Sequence, residues 1–159
     1  MSLDKMKIKM KTTINNELKN TLLQLPKGEM RIGWFAGQKE PNGIQVFENA
    51  YMQENGFWIK HKNGKKTYVP PRPFMRITAT KNEKIWEQVS YKLGQKFIKK
   101  KITFKQFMEQ FCLFVKGNIL ETIASRIRPN PNLPASKIPL IDSGTMTDSL
   151  TYKVRQRKR

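Results

Sequence analysis

The chain has 159 residues, of which 31 are Lys or Arg and 12 are Asp or Glu, so its formal charge at neutral pH is +19. That length suits one domain with a sizeable core, and that excess of cations predicts attraction to nucleic acid or another polyanion. A single Cys and a single His exclude an internal disulfide and a zinc constellation, and no apolar run approaches the ~20 residues that span a bilayer.

The residues Met1-Ser2-Leu3-Asp4-Lys5 lack the apolar stretch of a secretory signal. From Lys5 to Lys11, lysines alternate with Met6, Ile8 and Met10, the pattern of a half-buried strand whose lysines protect an edge. Ile14, Leu18, Leu22 and Leu25 then recur at helical spacing, with Thr12 or Thr13 as the cap and Pro26 and Gly28 as the stop. Glu29 to Ala36 reads as a second strand, with Met30, Ile32 and Trp34 in alternation, and Gly37 to Gly43 is turn chemistry. Val46, Phe47, Ala50 and Tyr51 share a helical face and predict a short helix over 44–52. Phe57-Trp58-Ile59 and Thr67-Tyr68-Val69 flank Asn63-Gly64, a strong turn pair, and predict a hairpin with a basic tip formed by Lys60, Lys62, Lys65 and Lys66.

Val69-Pro70-Pro71-Arg72-Pro73-Phe74 follows. Three prolines in four positions fix φ and remove backbone donors, which predicts a stiff, polyproline-like connector ending on an aromatic anchor. Beyond it, Thr80 with Glu83 has the spacing of a capping box, and Ile85, Val89, Leu93 and Phe97 recur every four residues with Trp86 beside them. Lys96 and Lys99 to Lys101 complement the negative end of that helix. Thr103 with Gln106 starts a second long helix, whose wide apolar face runs from Phe104 through Met108, Phe111, Cys112, Val115 and Ile119 to Ile123. A helix so apolar is sandwiched in the core or committed in part to a neighbouring subunit, and Phe111 and Phe114 are the candidates for such a contact. Cys112 falls within this face and reads as a small core residue. The segment 125–139 holds four prolines and predicts an extended surface strand of chain. Ser149 to Gln156 predicts a last strand, with Leu150, Tyr152 and Val154 on one face and a cationic tail over 155–159 that includes Arg155, Arg157, Lys158 and Arg159.

Leu140-Ile141-Asp142-Ser143-Gly144-Thr145 mimics the aspartic-protease signature, which needs two carboxylates sharing a proton. That enzyme also needs a flap and a glycine-bearing hydrophobic strand after the motif, and fifteen residues after Gly144 do not hold both. A turn is the stronger reading, with Asp142 accepting from nearby backbone donors, Gly144 permitting the bend, and Met146 and Leu150 packing on the body. The lone His61 lies in a lysine-rich loop with no triad context, and the glycine spacing gives neither a P-loop nor a dinucleotide fingerprint. Trp58 and Tyr68, beside Lys60 and Lys66, have the chemistry to stack on bases, although an aromatic on a hairpin more often serves a core or an interface.

The run Val69 to Met75 resembles an element of the bacteriophage virion morphogenesis proteins, the family of tail completion, neck and head–tail connector proteins of long-tailed phages. Pro139-Leu140-Ile141-Asp142-Ser143-Gly144, with Met146, Ser149 and Leu150, is similar to a second element of that family, in the same order and separated by a helical block. Upstream, Ala50, Glu54 and Gly56 match a third pattern, with Asn55 replacing its aromatic residue. The resemblance implies a structural protein of a phage or prophage, without enzymatic activity or cofactor, located in the virion after assembly in the bacterial cytoplasm. It implies partners among other neck or tail proteins and among its own copies, with a hexameric ring around the passage for DNA. It also makes Pro70, Pro71, Arg72, Pro73, Phe74, Asp142, Ser143 and Gly144 structural anchors. The charge gives a ring a use, because Lys60, Lys62, Lys65, Lys66 and the C-terminal cations would meet phosphates without reading sequence. The rival class is a free-standing nucleic-acid-binding protein that uses the same cations. Neither reading involves a membrane or a small-molecule substrate. The fold expected is a single α+β domain over 1–159, with a small antiparallel or mixed sheet joining the strands above and two long helices packed against it.

Overall fold

The computed structural model describes residues 26–125 and 144–156. Contacts gather Met30–Val154 into one compact unit. The strand over 5–11, the helix over 14–25, the extended segment of 126–139, Asp142, Ser143 and the tail residues Arg157, Lys158 and Arg159 lie outside the described residues. Within them the fold is α+β, in the order β1 (Gly28–Gly33), α1 (Val46–Asn55), β2 (Phe57–Lys60), β3 (Lys66–Val69), α2 (Phe74–Ile98), α3 (Phe104–Ala124), α4 (Thr145–Asp148) and β4 (Thr151–Gln156).

The expected single sheet is corrected to two small ones among the described residues: β1 pairs with β4, and β2 pairs antiparallel with β3. The hairpin strands have four residues each, and Pro70 and Pro71 directly after β3 lack the donors that would extend the ladder. The two long helices make their most extensive contact with each other. The core cluster is drawn mainly from helices: Val46 and Ala50 of α1, Phe74 of α2, Val115, Ile119 and Ile123 of α3, and Met146 of α4, joined by Leu150 ahead of β4. Ile32 of β1 and Trp34 just after it pack against this cluster from the side.

The hairpin follows its turn chemistry. Gly64 takes φ 79°, Asn63 accepts the Lys65 amide through its side chain (3.1 Å), and His61 and Lys65 close the loop by a backbone bond of 2.8 Å. The connector after β3 ends at Pro73, where φ −78° and ψ 61° form an inverse γ-turn closed by the Phe74 amide on the Arg72 carbonyl at 2.7 Å. Proline's fixed φ suits that turn, so the third proline bends the chain into a helix instead of prolonging the rod.

Helix α2 therefore starts at Phe74, six residues before the expected capping box, and Thr80 lies exposed inside it. Its first turn is capped from a distance: the Glu54 carboxylate, at the end of α1, accepts the amides of Met75 (2.9 Å) and Arg76 (3.2 Å). An anion there also opposes the positive end of the helix dipole. The early start changes which face is buried. Phe74, Thr78 and Asn82 face inward, while Ile85, expected inside, is 46% exposed. Thr78 and Asn82 can be buried because each donates to the carbonyl one turn back, at 2.6 and 2.9 Å. Trp86, half-buried, donates to Asn118 of α3 at 2.9 Å.

Helix α3 begins as expected. Thr103 accepts the Gln106 amide, and the Gln106 side chain accepts the Thr103 amide, a complete capping box. Met108, Cys112, Val115, Ile119 and Ile123 form its buried stripe. Gly144 adopts φ 77° at the head of α4, and Met146 and Leu150 are buried, as the turn reading requires.

Candidate nucleic-acid interface

The hairpin β2–β3 gathers the exposed cations that the sequence singled out. Its register pairs Phe57 with Val69, Trp58 with Tyr68, Ile59 with Thr67, and Lys60 with Lys66. Side chains alternate between the two faces of a strand pair. Phe57 and Val69 thus share one face, where Val69 is buried, while Trp58, Tyr68, Lys60 and Lys66 share the other. On that outer face Trp58 is 66% and Tyr68 46% exposed, and their rings lie 5.0 Å apart, tilted by 46°. Lys60, Lys62, Lys65 and Lys66 are all exposed, and no acidic residue occurs between Phe57 and Val69. His61 Nε2 lies 2.9 Å from the Thr67 hydroxyl, which ties the base of the loop together. Arg155, on β4, is also exposed.

Two lysines directly opposite each other destabilise a strand pair. The hairpin tolerates the repulsion because Phe57, Ile59 and Val69 are wholly or partly buried on its other face and the turn is well made. Behind it stands Gly56, at φ 79° and ψ 159°, a backbone state open essentially to glycine alone. A Cβ at Gly56 would lie 2.7 Å from the Tyr68 hydroxyl and 2.9 Å from the Val69 carbonyl. The absent side chain thus leaves room for the Tyr68 hydroxyl beside the start of β2.

The anchor block sits next to this surface. Pro70, Pro71 and Pro73 are half-buried, Arg72 is 2% exposed and Phe74 is fully buried. The Arg72 amide donates to the Gln53 carbonyl at 2.7 Å, and burial pushes its guanidinium down from the usual arginine range. The Phe74 ring meets Trp34 edge-on at 5.6 Å, and the Trp34 indole donates to the Met146 carbonyl at 2.6 Å. Trp34 therefore bridges the first anchor block to the segment that follows Gly144. Nothing in the sequence assigns such a role to Trp34, and Glu54, present there only as part of a pattern, carries the cap of α2 and an ion pair with Arg76 Nε at 3.0 Å. Ala50, Glu54 and Gly56 match only as a pattern in the sequence; the structure gives each a task, as a buried helix residue, a distant cap and a left-handed helix stop.

Phe111 and Phe114 are both half-buried. Phe111 packs against the core cluster and lines an open groove of about 510 Å³ with Thr80, Glu83, Trp86, Glu87 and Ser90. Leu113, between the two phenylalanines, is the residue that α3 exposes most among its large apolar side chains, at 54%. On α1, Phe47 and Tyr51, expected on the packed face, are 38% and 71% exposed. Among the described residues no group of three His, Cys, Asp or Glu side chains is placed to hold a metal ion, and no helix is long and apolar enough to cross a membrane. Comparison with protein-family models, with curated proteins and with solved structures finds no match to the chain.

Proposed function

We propose that the protein is a structural component of a bacteriophage or prophage virion, at the head–tail junction or the tail end, where its copies assemble as a ring around the passage for DNA. One observation carries this reading beyond the resemblance itself. Phe74 of the first motif block and Met146 and Leu150 of the second, far apart in the chain, belong to one core cluster, and Trp34 touches both blocks. Motif elements kept in order and packed together support a shared scaffold more than two chance likenesses would. The work of such a protein is to fit between neighbours, with no reaction turned over. Its cationic surface would meet the phosphate backbone without reading sequence.

Size-exclusion chromatography with light scattering, at low and high salt and across protein concentrations, tests the proposal. A closed ring, with a hexamer expected, supports it, and electron microscopy of that fraction would show the central passage. A second reading, a free-standing nucleic-acid-binding protein, is favoured by the exposed aromatic and lysine face of the hairpin. A species that stays monomeric in every condition and binds DNA with a steep salt dependence would replace the ring by this second reading.

A further inference from the structure

We propose that the outer face of the β2–β3 hairpin is a binding site for single-stranded nucleic acid, in which Trp58 and Tyr68 stack on unpaired bases and Lys60 and Lys66 take the adjoining phosphates. The site is complete on one copy of the chain, so the proposal stands apart from ring assembly.

Three features of the hairpin carry it. The first is the unburied aromatic pair. Large rings are normally placed where their area leaves water, yet the register puts Trp58 and Tyr68 on the face opposite Phe57 and Val69, and both stay open to solvent. Their 46° tilt at 5.0 Å is not a closed stack, so ring surface remains free to receive a base. The second is the lysine pair. Lys60 and Lys66 oppose each other one pleat further on the same face, with Lys62 and Lys65 beyond them and no carboxylate in the hairpin. A phosphate between them converts a repulsion into two charge-assisted contacts. The third is preorganisation. Gly56 leaves room for the Tyr68 hydroxyl beside the start of β2, and the turn from His61 to Lys65 is closed by its own hydrogen bonds. The site therefore loses little freedom when it binds.

The same geometry selects for strand type. A duplex hides its base faces and offers this surface only phosphates, so the lysines would act alone. A single strand offers both, and aromatic stacking is tolerant of sequence because every base has a π-face. The arrangement thus predicts a preference for unpaired DNA or RNA with little sequence discrimination.

The test uses the full-length protein and fluorescence anisotropy with a labelled oligo(dT) strand and with a duplex of the same length. The expected result is at least tenfold tighter binding of the single strand. Trp58→Ala weakens single-strand binding by about ten- to hundredfold and leaves duplex binding unchanged. Tyr68→Leu acts in the same direction, and its circular-dichroism melt reports whether the hairpin is intact. The pair Lys60→Ala with Lys66→Ala weakens both ligands and flattens the salt dependence. Equal affinity for strand and duplex, no binding of either, or a Trp58→Ala variant that binds the single strand as wild type does, overturns the proposal. Light scattering on the same samples reads ring assembly separately, so failure of one proposal is not mistaken for failure of the other.

Discussion

Replacing Gly56 with alanine places a methyl group where three neighbours already stand. The new Cβ would lie 2.7 Å from the Tyr68 hydroxyl, 2.9 Å from the Val69 carbonyl oxygen and 3.0 Å from the Pro71 Cδ. The tyrosine tip can swing aside, but the carbonyl and the proline ring are fixed by the end of β3 and by proline's own geometry. The residue also sits at φ 79°, ψ 159°, where an L side chain costs about 1–3 kcal/mol in strain. Overpacking against rigid groups adds about 1–3 kcal/mol. The sum is roughly 4 kcal/mol, which for a chain of this size lowers Tm by about 8–16 °C. Gly64 supplies the control. It has the same φ of 79°, but a methyl group added there would meet nothing within 4 Å. Gly64→Ala should therefore cost only the backbone term, about 1–2 kcal/mol. Thermal melts and urea titrations of both variants measure the difference. If Gly56→Ala is no more destabilising than Gly64→Ala, the close approach of Tyr68, Val69 and Pro71 is not what this position requires glycine for.

The distant cap of α2 makes a second contrast. Glu54→Ala removes the acceptor of two backbone donors on a side chain only 14% exposed and should cost about 2 kcal/mol. Arg76→Ala leaves the cap in place, removes the exposed partner of the ion pair and its 2.9 Å hydrogen bond to the Glu54 carbonyl, and should cost less than about 1 kcal/mol. Equal losses in urea unfolding would mean that the ion pair, not the cap, matters. Cys112 makes a third. It is fully buried, and burial, with Glu109 nearby, pushes its thiol above the ordinary range. Iodoacetamide should leave it unmodified in the native protein and react fully in denaturant, and native labelling at the rate of a free thiol would contradict its placement. Because the folded state favours the neutral thiol, its contribution to stability is whole below the unfolded thiol pKa of ~8.5 and declines as pH rises past it. The urea midpoint of the wild type should therefore fall more between pH 7 and pH 10 than that of Cys112→Ala.

Much of the local structure is legible in the residues. The Asn63-Gly64 turn, the capping box of Thr103 and Gln106, the buried stripe of α3 and the inward packing of Met146 and Leu150 all form as their spacing predicts. Each rests on spacing or side-chain chemistry within a few residues, which a sequence displays directly. Of the candidate interface, the lysines at the hairpin tip are legible from charge alone.

What needs the tertiary structure is every choice between two faces or two partners. The first turn of α2 is capped by a carboxylate twenty-one residues before Met75, a partner that nothing in the local sequence announces. The start at Phe74 turns Thr78 and Asn82 inward and Ile85 outward, against hydrophobicity, because intrahelical bonds satisfy the two polar side chains. Among the described residues the strands form two separate pairs, a choice left open by a period of two, which marks a segment as a strand but not which strand lies beside it. The exposure of Trp58 and Tyr68 is decided in the same way, by the burial of Val69 on the opposite side of the hairpin. Periodicity and turn chemistry act through neighbours in the chain, whereas the buried face of an amphipathic element is decided by whatever packs against it.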